Sequence, residues 1–114
     1  MICWVHAECE EWAAQVRRRD GLPPLAELAT YDYAHNPAGL TERAQELGAA
    51  VFRMRATPAM LGAHRTLLAH YLFCGKTAVK IMMLETDKND YWRSVQTAHA
   101  YLAARIDYPM LEVG

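Results

Sequence analysis

Tyr91, Val95, Ala98 and Leu102 fall four, three and four residues apart, the spacing of one face of an α-helix and not of a strand. The same period returns upstream. Trp12, Ala13 and Val16 share one side of a first segment, and Leu47, Val51 and Met54 form a stripe on a second. Nowhere does apolar–polar alternation run between hairpin turns, and the good helix formers Ala, Leu, Met, Glu, Gln and Arg dominate. The expected fold class is all-α, with about five helices and a C-terminal half built as a helix-turn-helix. At 114 residues, 53% of them hydrophobic, the chain suits a single helical domain over residues 1–114 with a real core.

Local signals set the expected boundaries. A first helix runs from about Val5 to Arg19, with Arg17, Arg18 and Arg19 where cations suit the macrodipole, and Gly21-Leu22-Pro23-Pro24 stops it. Residues 31–39 read as a loop from their turn chemistry. Thr41 caps a helix through about Arg55. Thr57 and Pro58 read as a capping hydroxyl followed by proline at the first helical position. That helix reaches Cys74, with Gly75 at its C-terminal cap. Thr77 caps a short helix, about Ala78 to Leu84, and Glu85-Thr86-Asp87 turns the chain. Asp87 then caps the last helix, with Asp90 as a capping box, and Pro109 ends the folded part.

The formal net charge is −1, so no global basic field draws the chain to nucleic acid. The charge is uneven, however. Arg65, Lys76, Lys80, Lys88, Arg93 and Arg105 stand against only Glu85, Asp87 and Asp90 between residues 62 and 105, a local excess that suits an anionic partner. Cys3, Cys9 and Cys74 are odd in number and scattered, which fits a reducing, cytoplasmic setting and no disulfide framework. No signal-peptide pattern opens the chain. No apolar run approaches the roughly 18–20 residues that span a bilayer, so no membrane partner is expected.

Gly75-Lys76-Thr77 matches the end of a phosphate-binding loop, but His70 stands where that motif needs glycine, on a segment of helical pattern where it needs a strand. The P-loop is rejected. Cys3, His6 and Cys9 share a broad helical arc without a definite fourth zinc ligand, and His35 is not fixed near them. They read as free thiols beside a surface histidine. His64, His70 and Cys74 read as core-edge residues of one helix. No nucleophile–base set or carboxylate pair stands out, and neither catalysis nor a cofactor nor a metal is expected.

The strongest constellation is the three-helix unit of about 58–105. Its last helix opens with Lys88, Asn89, Arg93 and Gln96, as a recognition helix does. Arg93 suits guanine O6 and N7, and Asn89 or Gln96 suits adenine N6 and N7. Lys76 and Lys80, with the amides that start the short helix at Thr77, suit phosphates. A plain bundle with an ordinary polar face fits the same pattern.

The ordered set Gly75, Thr77, Ile81-Met82, Leu84, Tyr91, Val95, Ala98 and Leu102 resembles the promoter-reading, region-four-like domain of sigma factors. Here the turn is one residue shorter, Asp87 stands where serine is usual, and Met82 replaces a small alanine. Tyr91-Trp92-Arg93, Ala98-His99 and Leu102-Ala103-Ala104-Arg105-Ile106, preceded by Leu68-Ala69-His70-Tyr71, are similar to the C-terminal unit of Q-type phage late-gene antiterminators. Glu11 to Arg17 and Gly21-Leu22-Pro23 are similar to their front end. Residues 31–60 are not placed by the resemblance, and this chain has no CxxC pair of the kind some members carry. The resemblance implies sequence-specific binding of double-stranded DNA, engagement of bacterial RNA polymerase and work in a bacterial host cytoplasm. A rival from another class is a small helical accessory protein that inhibits a host complex by direct binding, anchored by Trp4, Trp12 and Trp92.

Overall fold

Five α-helices follow one another in the computed structural model: α1 (Cys3–Asp20), α2 (Glu42–Arg53), α3 (Leu61–Leu72), α4 (Thr77–Met83) and α5 (Lys88–Ala103). The structure describes residues 3–28, 30–34, 36–73 and 75–107, so the expectations placed on His35, Cys74 and Pro109 lie outside the described residues. Single 3-10 turns occupy Leu25–Glu27, Met54–Ala56 and Pro58–Met60, and no strand occurs among the described residues. Among the described residues no helix is long and apolar enough to cross a membrane.

α1 buries Val5, Cys9, Trp12, Ala13 and Val16 along one face and ends where Gly21, at φ +80°, donates its N–H to Arg17 O at 2.7 Å. The basic last turn does more than meet the helix dipole. Arg17 donates to the Tyr71 carbonyl, satisfying one of the orphan acceptors at the end of α3. Arg19 donates to the carbonyls of Tyr33 and Asn36 and pairs with Asp20. Gln15, also on α1, accepts from the Thr41 N–H at 2.8 Å and so pins the start of α2. Thr41 then caps α2 through its hydroxyl, which accepts from Ala44 N.

α3 is buried on nearly all sides, with Ala63, His64, Thr66, Leu67, Leu68, Ala69, Tyr71 and Leu72 inside. A helix apolar all round belongs at the centre, and α3 packs against α1, α5 and the 54–56 turn, while α2 packs on α1. Three boundaries and one side-chain contact differ from expectation. Pro58 opens only a 3-10 turn, closed by Met60 N–H to Thr57 O at 2.8 Å, and Thr57 makes no side-chain cap. α3 stops at Leu72 because Phe73 takes an extended backbone that drops its ring into the core, edge-on to Tyr31. Lys76, not Thr77, is the N-cap of α4; Thr77 already lies inside the helix. Asp90 gives its amide to the Asp87 cap, but its carboxylate does not complete a capping box; it accepts from Arg93 at 3.0 Å.

Candidate nucleic-acid interface

The α4–α5 unit is set by two turns. Gly75, at φ +130°, redirects the chain between buried Phe73 and the start of α4. After α4, Thr86 N–H bonds back to Ile81 O at 3.1 Å and Glu85 adopts φ +55°, a left-handed conformation that costs a residue with a Cβ. Asp87 then caps α5, its carboxylate accepting from Asp90 N at 2.8 Å. Tyr91, Val95, Ala98 and Leu102 face inward, so the register of α5 leaves its opposite side to solvent.

Asn89, Arg93 and Gln96 all lie on that exposed side, four and three residues apart, with Lys88 exposed beside them at the first position of the helix. Arg93 pairs with Asp90, but both side chains are exposed, a pairing that yields easily to a stronger acceptor. Lys76 is exposed and Thr77 half-buried. Lys80 corrects the expectation. It is 6% exposed and its ammonium donates to the His70 carbonyl at 3.3 Å, because α4 turns that side toward α3. Met82 stands where the sigma-like pattern has a small alanine, yet it is 69% exposed, so its bulk does not enter the α4–α5 contact. Gly75 follows a helix and not a strand, in keeping with the rejected P-loop.

No family model matches this chain, and no curated protein and no solved structure does either.

Beneath the α5 face lies a set of side chains that the sequence signals only singly. The Tyr71 hydroxyl sits 2.8 Å from His6 Nδ1 and 2.6 Å from His99 Nε2, and His6 Nε2 is 2.9 Å from a Glu10 oxygen. One hydroxyl proton cannot serve two imidazoles. The arrangement that uses every proton is directional: His99 Nε2–H donates to Tyr71, Tyr71 donates to His6 Nδ1, and His6 Nε2–H donates to Glu10. It leaves His99 Nδ1 unprotonated, and that nitrogen is buried without a partner; a bare acceptor is the cheaper group to strand. His99 is therefore core, 1% exposed. Burial, then the nearby His6, holds its pKa below the ordinary value.

Two further pairs repeat the theme. Tyr33 and His64 meet at 2.6 Å in the core, and His70 Nδ1 and the Tyr91 hydroxyl meet at 2.8 Å. Burial lowers His64 to about 4, helped by the charge of Arg55. Burial also lowers His70 to about 4, helped first by the charge of Lys80. Cys9 is a buried thiol pushed up to about 12, by burial and then by Glu8, and is therefore unreactive at neutral pH. Among the described residues no three His, Cys, Asp or Glu side chains gather as metal ligands. His6 is a surface histidine, as expected, but one held by Tyr71 and Glu10.

Proposed function

We propose that this protein binds double-stranded DNA through a helix-turn-helix of α4 and α5, with α5 as the recognition helix, and regulates transcription. The observation that carries this reading is the exposed stripe of Asn89, Arg93 and Gln96 on the first turns of α5, opposite its buried stripe. Those side chains are the ones that read guanine and adenine edges in a major groove. Lys76 and Lys88 flank the stripe as phosphate contacts, while buried Lys80 drops out of the interface. With so few exposed cations, the logarithmic salt slope should lie between about −2 and −3. Antitermination on bacterial RNA polymerase at phage late genes is part of the proposal on the strength of the sequence resemblance alone. No catalytic step and no cofactor is part of it.

Fluorescence anisotropy against duplexes tiled across the DNA that flanks the protein's own gene, with a random duplex as reference, tests the reading. Arg93→Ala should cost about 1–3 kcal/mol on the preferred duplex and little on the random one. Lys76→Ala should weaken both alike and lower the salt slope by about one. Equal affinity for every duplex removes sequence reading, and no binding at low salt removes DNA.

One observation favours the protein-binding rival. Val79, Met82 and Met83 leave an apolar, adaptable face of α4 in solvent. The tryptophans do not support it, since Trp12 is core and Trp4 and Trp92 are half-buried. Loss of cellular activity in Met82→Asp, with Arg93→Ala unaffected, would select the rival.

A further inference from the structure

A well-formed cavity lies away from the proposed DNA face. A cleft of about 690 Å³ opens between α1, α2 and the 32–40 loop, and no residue of α4 or α5 lines it. Its floor is Trp12, buried under α2, with Tyr33 set edge-on against the indole at 5.9 Å. Gly48 makes the floor possible. A Cβ there would lie 3.0 Å from Trp12 Nε1, so a larger residue fits only if the indole gives way by a few tenths of an ångström.

The rim has a different character. Phe52, 45% exposed, stands at the edge with the Arg55 guanidinium 5.2 Å from its ring centre, and Arg53 is exposed beside it. Arg18, Arg19, Arg43 and Arg93 each pair with a carboxylate, whereas Arg53 and Arg55 meet none among the described residues. An anion cannot be held by the backbone there, since the end of α2 presents carbonyls; it must be taken by the guanidinia. Asp32 lines the facing wall, so negative charge on an occupant belongs at the arginine rim and not inside the cleft. Because apolar surface continues past the cleft onto Phe52, an occupant extends outward and is not enclosed.

We propose that this cleft docks an acidic peptide segment of a partner protein, which seats one aromatic or aliphatic side chain on the Trp12–Gly48 floor and pairs its carboxylates with Arg53 and Arg55. The volume lies in the range of ligand clefts and has room for a large side chain with adjoining peptide, and two arginines without a carboxylate partner offer bidentate recognition of carboxylates. The site is independent of the DNA reading.

The test titrates the ¹⁵N-labelled full chain with the peptide acetyl-Glu-Asp-Phe-Glu-Asp-Leu-amide. Expected are saturable shifts at the amides of Gly48, Phe52 and Arg53 and at the Trp12 indole, with none along α5. Arg53→Glu should weaken binding at least about ten-fold at an unchanged melting temperature, and Arg53→Gln by less. Arg93→Ala should leave it unchanged. The proposal is overturned by the absence of saturable shifts at about 1 mM peptide. It is equally overturned if a version with lysine at every acidic position binds as well, if phenylacetate matches the peptide (a small-carboxylate site), or if the same shifts arise on concentrating the protein alone (a second copy in the cleft).

Discussion

Tyr71 carries more of the fold than its single hydroxyl suggests. It joins His6 of α1 to His99 of α5 from its place on α3, and its own carbonyl is held by Arg17. Buried polar groups of this kind stabilise only while fully satisfied, and each one orphaned costs its desolvation. Tyr71→Phe should therefore destabilise the protein by about 1–3 kcal/mol, because it strands the Nε2–H of a histidine that is 1% exposed. His99→Leu in the Tyr71→Phe background should recover part of the loss, since no buried donor then remains. Urea unfolding of the two single variants and the double variant measures the coupling, and strictly additive costs would show that hydroxyl and imidazole do not act as a pair. His6 and His99 were visible in the sequence as separate residues. Their partner was not, since a tyrosine 65 positions from one and 28 from the other leaves no local signature.

The helices themselves were largely legible, because the signals that start and stop them act over three or four residues. Thr41 and Asp87 cap as their positions suggest, each with a side-chain oxygen on an amide three residues ahead. Thr57 and Thr77 have the same chemistry and do not cap. A hydroxyl caps only from a residue with non-helical backbone just outside the helix, and at Thr77 the helix has already begun. The turn between α4 and α5 was readable as Glu85-Thr86-Asp87, but not which residue takes the left-handed conformation, where glycine is the usual occupant. Glu85 does so while exposed. Glu85→Gly should accordingly relieve strain and raise stability by up to about 1 kcal/mol, the left-handed penalty less the entropy that glycine adds to the unfolded chain. Thermal melting checks this, and a lower melting temperature would mean that the Glu85 side chain holds the turn.

Three lowered histidines give the molecule a predictable response to acid. Burial holds His64 and His70 to about 4 in the fold, against the ordinary 6.5 of an unfolded chain, and His99 is also lowered. Between those values the unfolded chain binds more protons, so stability is fully present above about pH 6.5 and declines as the pH falls toward 4. His64 is 5% exposed and should account for roughly 3 kcal/mol of that decline, with Arg55 the charge facing it. His64→Gln keeps a group able to bond Tyr33 and removes the titration, so its stability should fall less between pH 6.5 and 4 than that of the parent. Denaturant midpoints across that range give the comparison, and parallel curves would show that His64 is already charged in the fold.

Spacing alone placed the helices and their buried stripes, since backbone hydrogen bonds and contacts three or four residues apart depend only on near neighbours in the chain. Which way the remaining groups point depended on what lies across from them. Lys80 has the composition of a phosphate contact, and the packing of α4 beside α3 turns its ammonium onto the His70 carbonyl. Phe73 ends its helix early because space for its ring lies beside Tyr31. The cleft over Trp12 exists because Gly48, a modest liability within α2 by propensity, lets an indole from α1 approach the helix. Each of these joins residues from separate helices or loops, and a linear pattern holds no measure of the distance between them once the chain has folded.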